Sequence, residues 1–306
     1  MYESYFGLRE KPFSILPDPR FLYFSRNHQM AFSMLEYGII NQAGFTVVTG
    51  AIGSGKTTLI RQLLGCLGPD VRTGLISHTP RNNSPMLQWI LMAFNQPFEE
   101  GSYAGLYKRY SEFVTSEYER HGRVVLIVDE AQSLDAERLE ELRMLSNVNT
   151  DEMMMQLILV GQPELRATLQ GPGMEQFAQR VSSDFNLPAL QATEAMFYFD
   201  HRLRVAGCER ELFSNEAKRM IHEDSKGVPR LMNVLADRCL VYAYAEEASM
   251  VTPRIVNQVI ADRAQHGNGL FPRGQGNGHV QRDAAGHVAD AARHVGARRH
   301  RRGAAA

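Results

Sequence analysis

Residues 50–57 read Gly-Ala-Ile-Gly-Ser-Gly-Lys-Thr. Gly50, Gly53 and Gly55 let a backbone turn tightly enough for its N–H groups to converge on an anion. Lys56 adds a full positive charge, and Thr57 adds a hydroxyl that can ligate a hard cation. The pattern GxxxxGK[ST] binds phosphate when a strand precedes it and a helix follows. Ala51, Ile52, Ser54 and Thr58 complete the segment expected to surround that anion.

A second chemical feature ends the apolar run Val124–Val128, where Asp129 and Glu130 place two carboxylates together. Asp129 at a strand tip would share an Mg2+ ion with Thr57, and Glu130 would activate a water against a γ-phosphate. The carboxylates follow Lys56 by more than 70 residues, enough for a strand and more than one helix between them. Gln162 ends another apolar run and is the candidate to sense the γ-phosphate. Two arginines extend the set. Arg180 precedes the last strand pattern, where a guanidinium could reach the nucleotide of a neighbouring subunit. Arg230 follows Gly227-Val-Pro and opens a helix, where it could swing onto the same phosphate.

The surrounding pattern supplies the elements that must position these groups. Short apolar runs at Phe45–Thr49, Thr73–Ser77, Val124–Val128, Leu157–Val160 and Ser183–Leu187 read as strands. They alternate with helical patterns at Lys56–Cys66, Pro85–Phe94, Tyr103–Arg120, Ala136–Asn147 and Glu164–Leu169, with Ser84 and Asp135 as caps. Near-continuous hydrophobic strands between helices predict a parallel sheet buried on both faces. After Pro188 only helical patterns remain, at Thr193–Ala206, Asn215–Asp224, Pro229–Ala245 and Pro253–Arg263. The expected fold is therefore α/β: a P-loop NTPase three-layer sandwich followed by a small all-helical lid.

The expected organisation has four parts. Residues 1–24 are rich in aromatics and proline and predict an extended lead-in packed on the ATPase domain. Residues 25–190 form that domain, opening with a helix capped by Ser25, and 191–264 form the lid. Adenine is expected between the lead-in and the hinge, with Phe13, Tyr23 and His28 as candidates for its pocket. Residues 265–306 hold eight glycines, five histidines and seven arginines with few large apolar side chains, and predict a disordered tail.

Of the 306 residues 44% are hydrophobic and 22% charged, and the net charge is −1. The tail carries seven arginines against two aspartates, so residues 1–264 are net −6, which argues against a strong nucleic-acid binder. Cys66, Cys208 and Cys239 are widely spaced and predict neither a zinc site nor a disulfide framework. No apolar run reaches the ~20 residues of a membrane span, and the N-terminus has no secretory signal pattern. A cytoplasmic protein is expected.

Together the motifs resemble those of AAA+ ATPases. Tyr5-Phe-Gly-Leu-Arg-Glu-Lys-Pro-Phe13, Pro17-Asp-Pro-Arg-Phe-Leu-Tyr23, Val128-Asp-Glu-Ala-Gln132, Leu159-Val-Gly-Gln-Pro-Glu-Leu165 and Gly227-Val-Pro-Arg230 resemble the general secretion pathway protein A (ExeA-like) branch. Leu35-Glu-Tyr-Gly38 and Glu140-Glu-Leu-Arg-Met-Leu-Ser-Asn147 are similar to the ATPase encoded with exosortase (PEP-CTERM) and exopolysaccharide export loci. The resemblance covers residues 1–264. It implies an ATPase that uses ATP and Mg2+, assembles as a homo-oligomer and serves inner-membrane export or polysaccharide-biosynthesis proteins. Any membrane attachment would come through such a partner. Ala51 stands where relatives often carry an acidic residue. The alternatives are a DNA-binding ATPase of the transposition-helper kind and an adaptor that binds nucleotide without hydrolysis.

Overall fold

A computed structural model describes residues 1–77, 84–99, 101–148 and 154–266. Five strands form one parallel sheet in the order β2-β3-β4-β1-β5. They are β1 (Phe45–Gly50), β2 (Arg72–Ile76), β3 (Val124–Val128), β4 (Met155–Gly161) and β5 (Val181–Leu187). Alternate side chains of these strands enter opposite cores, as the two-residue strand period requires. Val47, Leu126, Val128, Leu157 and Leu159 face one side. There they meet α4 (Met86–Ala93), α5 (Tyr103–His121), α6 (Ala136–Leu145), α7 (Pro163–Leu169) and α8 (Glu175–Ala178). Val48, Val125, Ile127, Ile158 and Val160 face the other, against α2 (Arg26–Ile40) and α3 (Lys56–Cys66). This is the three-layer sandwich expected from strands that are apolar on both faces.

Beyond β5 the chain is helical: α9 (Ala192–Val205), α10 (Asn215–Ser225), α11 (Pro229–Ala245) and α12 (Pro253–His266). These helices enclose a third core, with Phe199, Phe213, Ile221, Met232, Leu235 and Leu240 among its members. The described residues form a single compact unit.

Several expectations change. The lead-in is not wholly extended, because Tyr2–Phe6 forms a one-turn helix, α1. The first proline is Pro12, so nothing breaks a helix before it, and Gly7 ends α1 in a left-handed conformation. The lead-in packs on the helical bundle as well as on the sheet domain, where Arg61 of α3 donates to the Pro17 carbonyl. Tyr2, Phe6, Leu8, Phe13 and Phe21 belong to the bundle's core. Leu22 crosses to the core around α2 and α3. Phe13 is 1% exposed and packs its ring at steep angles against Phe199 and Phe213, so it is a core residue and not part of an adenine pocket.

Ser84 does not cap α4. The Met86 N–H donates to Glu141 Oε2 at 3.0 Å, so a carboxylate on α6 satisfies the helix start from outside. Ser25, Asp135 and Ser214 do cap their helices through the side-chain oxygen. Gln265 and His266 continue α12, and the rest of the expected tail lies outside the described residues.

Candidate functional site

In a parallel sheet all the strands release their chains at one edge, so groups at their C-terminal ends gather there. β1 runs into the glycine loop and α3 begins at Lys56. Gly50, Gly53 and Gly55 are each required for a distinct reason. A Cβ on Gly50 would lie 2.7 Å from the Leu187 carbonyl and 2.8 Å from Ser54 Oγ. Gly53 and Gly55 adopt φ of 81° and 102°. A Cβ on Gly53 would also fall 2.5 Å from the Arg230 Cβ.

The Lys56 ammonium donates to the carbonyls of Gly50 at 2.8 Å and Ala51 at 3.0 Å. Burial pushes its pKa down, and the nearby Glu130, Asp129 and Glu164 carboxylates oppose that shift. Ser54 is 1% exposed, and its Oγ has no hydrogen-bond partner among the described residues. A buried hydroxyl without a partner inside a glycine cradle suits an anion that supplies acceptor oxygens. Ile52 stands exposed on the loop, and Thr58 lines the cleft beside Thr57.

Asp129 meets the loop from the tip of β3. The Thr57 hydroxyl donates to Asp129 Oδ2 at 2.8 Å. A carboxylate and a hydroxyl in contact form a hard-oxygen pair that fits Mg2+. Glu130, next in sequence, sits in the left-handed region at φ 54° and ψ 34°. Such a conformation costs a non-glycine residue about 1–3 kcal/mol and recurs where a side chain must be aimed. Its Oε2 accepts from Gln132 Nε2 at 2.6 Å and from Gln162 Nε2 at 3.4 Å. β4 lies between β3 and β1, so Gln162 occupies the gap between the acids and the cradle. Gln132 was not legible as a site residue, because a lone glutamine after an acidic pair has no periodic signal.

Arg230 closes the cleft from α11. Its backbone N–H donates to the Gly53 carbonyl at 3.2 Å, and its exposed side chain lines the cleft. The same wall holds Tyr23, His28, Leu190, Tyr198 and Asn233. His28 is 3% exposed, and Ser25 Oγ lies 2.8 Å from its Nδ1. Its Nε2 lies 3.1 Å from the Ser54 carbonyl, which can only accept, so Nε2 carries the proton. Desolvation pushes the His28 pKa down. Arg202, also missed in the sequence, ties the lead-in to α9 by donating to the Pro12 and Ser14 carbonyls.

Arg180 is not brought to this cleft. It precedes β5, and its carbonyl accepts from the Phe45 N–H at the far end of β1. A six-residue strand separates it from Gly50, about 17 Å along the sheet. The exposed guanidinium donates to Ser146 Oγ at 2.9 Å.

This sheet order, glycine loop and helical bundle define the P-loop AAA+ ATPase fold. A family model described as an AAA domain matches residues 40–169. The chain is 38% identical over 249 residues to general secretion pathway protein A of Aeromonas hydrophila, covering 80% of this chain. The chain thus carries an AAA domain and is similar to that protein, of whose length it spans 45%. Cdc6p from Pyrobaculum aerophilum shares the fold at a TM-score of 0.64 and 17% identity, over 81% of this chain and 71% of that one. The Aeropyrum pernix ORC2 protein, solved as ADPNP-ADP complexes, matches at a TM-score of 0.58 and 17% identity, over 77% and 66%. Among the described residues, no helix is long and apolar enough to cross a membrane.

Proposed function

We propose that the protein binds and hydrolyses ATP with Mg2+ in this cleft and drives or regulates an envelope export system. The observation that carries the ATPase reading is the Thr57–Asp129 contact, with Glu130 beside it at the mouth of the glycine cradle. The loop N–H groups and Lys56 would hold the β- and γ-phosphates, with the N-terminus of α3 adding the positive end of its dipole. Thr57 and Asp129 would hold Mg2+, which when bound neutralises charge on the phosphates. Glu130 would take a proton from water as the water oxygen attacks the γ-phosphorus. The bond to the β-phosphate oxygen then breaks, leaving ADP and inorganic phosphate. Gln162 would register the γ-phosphate at the tip of β4, and Arg230 would report it to the helical bundle as lid closure.

Arg180 has a role in this scheme only in trans. Its exposure at the opposite sheet end from Gly50 suits a homo-oligomer in which it reaches a neighbour's nucleotide. The export role rests on the likeness to general secretion pathway protein A. Within that role the quoted motifs favour an exosortase (PEP-CTERM) and exopolysaccharide-linked system, with inner-membrane export or polysaccharide-biosynthesis proteins as partners. The protein would act from the cytoplasmic face through such a partner.

The test is ATP turnover per chain measured against protein concentration in magnesium. A rate that climbs as the chain associates supports the scheme. Absence of magnesium-dependent turnover at every concentration would sink it.

A further inference from the structure

Gln132 uses both ends of its amide. Nε2 donates to Glu130 Oε2 at 2.6 Å, and Oε1 accepts from the Gln162 backbone N–H at 2.9 Å. The neighbours fix which end is which, because the carboxylate can only accept and the N–H can only donate. The contact follows from local backbone geometry. Glu130 is left-handed and Ala131–Ser133 coil into a 3-10 turn, which returns residue 132 to the side of the Glu130 carboxylate. Gly161 makes room for it. A Cβ there would lie 3.0 Å from Gln132 Oε1 and 3.2 Å from the Gln132 backbone nitrogen.

The Gln162 side chain reaches the same carboxylate oxygen only at 3.4 Å, so Gln132 provides the shorter bond. Both donors converge on Oε2. Neither of these two bonds occupies Oε1. We propose that Gln132 is a positioning residue for hydrolysis. It pins the Glu130 carboxylate by one oxygen, leaves the other to receive the proton of the attacking water, and couples that orientation to the backbone of Gln162. A γ-phosphate that draws Gln162 would then move the base through the Gln132 amide. This inference rests on the ATPase reading of the cleft.

Two nearly isosteric variants separate positioning from structural support. Gln132→Glu keeps an acceptor for the Gln162 N–H but replaces the donor to Glu130 with a like charge. Gln132→Met keeps the volume and loses both bonds. Single-turnover hydrolysis and ATP affinity in magnesium are measured for each on the full chain, beside Glu130→Gln. Both Gln132 variants are expected to slow hydrolysis by about 10- to 100-fold with affinity within about threefold of wild type. In the Glu130→Gln background, adding Gln132→Met is expected to cost nothing further, since there is no base left to aim.

Gln132→Glu at the wild-type rate, with Gln132→Met slow, would make Gln132 a structural tie only and overturn the proposal. Wild-type rates in both Gln132 variants, with Glu130→Gln inactive, would overturn it while leaving the ATPase reading intact. A wild-type rate in Glu130→Gln itself would remove the reading on which the proposal rests, and the proposal with it.

Discussion

The Thr57 hydroxyl and the Asp129 carboxylate are bonded at 2.8 Å, although 72 positions separate them in the chain. The bond joins the first turn of α3 to the tip of β3. It gathers in one place the two oxygen types that a divalent cation would require. Asp129→Asn keeps the shape and removes the charge. ATP affinity in magnesium should fall by about 10- to 100-fold, while affinity in the presence of a chelator should hardly change. Calorimetric titration under both conditions checks this, and an equal loss in both would refute metal binding by Asp129.

Gly53 is where the loop and the bundle touch. Gly53→Ala must tolerate φ of 81° and a Cβ 2.5 Å from the Arg230 Cβ. Gly173 has nearly the same φ, 82°, but a methyl group placed there would meet nothing within 4 Å. Gly173→Ala should therefore cost only the left-handed strain, about 1–2 kcal/mol, and leave ATP affinity unchanged. Gly53→Ala should lose more stability and weaken ATP binding by about tenfold or more. Denaturant midpoints together with nucleotide titrations separate the two effects.

His28 predicts a stability that depends on pH. Burial lowers its pKa in the folded protein, so the unfolded chain binds the proton more readily. Stability is thus fully present above the unfolded value near 6.5 and is lost as pH falls from there towards the folded value. His201 is shifted in the same direction, first by burial and then by Arg202 and Arg204, and adds to the trend. Unfolding midpoints between about pH 7.5 and 5 should fall for the wild type. His28→Gln should flatten that slope without abolishing it. An unchanged slope would show that His28 does not titrate in this range.

How legible these features were depended on whether they are local. The glycine loop and the acid pair are contiguous, and each follows a strand whose apolar run is unmistakable. Their positions at strand ends could be read without knowing the sheet order. Gln132 and Arg202 act across the fold, and nothing in their neighbours marks them. The Ser84 cap failed for a similar reason, since the group that satisfies α4 is Glu141, 55 positions away from Met86. The packing of residues 1–24 was also hidden. Its aromatics signal burial, but composition cannot say which of the three cores receives them, and Phe13 entered the bundle core.

Arg180 makes a prediction about mixtures. Arg180→Ala should bind ATP as the wild type does and lose turnover by about 10³-fold or more, the range of an arginine supplied in trans. Lys56→Ala should be inactive through its own cleft while still offering Arg180 to a neighbour. Mixing the two inactive variants should restore part of the activity. No recovery at any ratio, with both variants shown to co-assemble, would place Arg180 outside catalysis.

The central claim is that the cradle from Gly50 holds a triphosphate while Asp129 and Glu130 manage its metal and its attacking water. Hydrolysis of bound radiolabelled ATP by Glu130→Gln, followed in a single turnover in magnesium, tests it most directly. The account predicts ATP retained intact at wild-type affinity. Cleavage at the wild-type rate, or no magnesium-dependent binding at all, would contradict it.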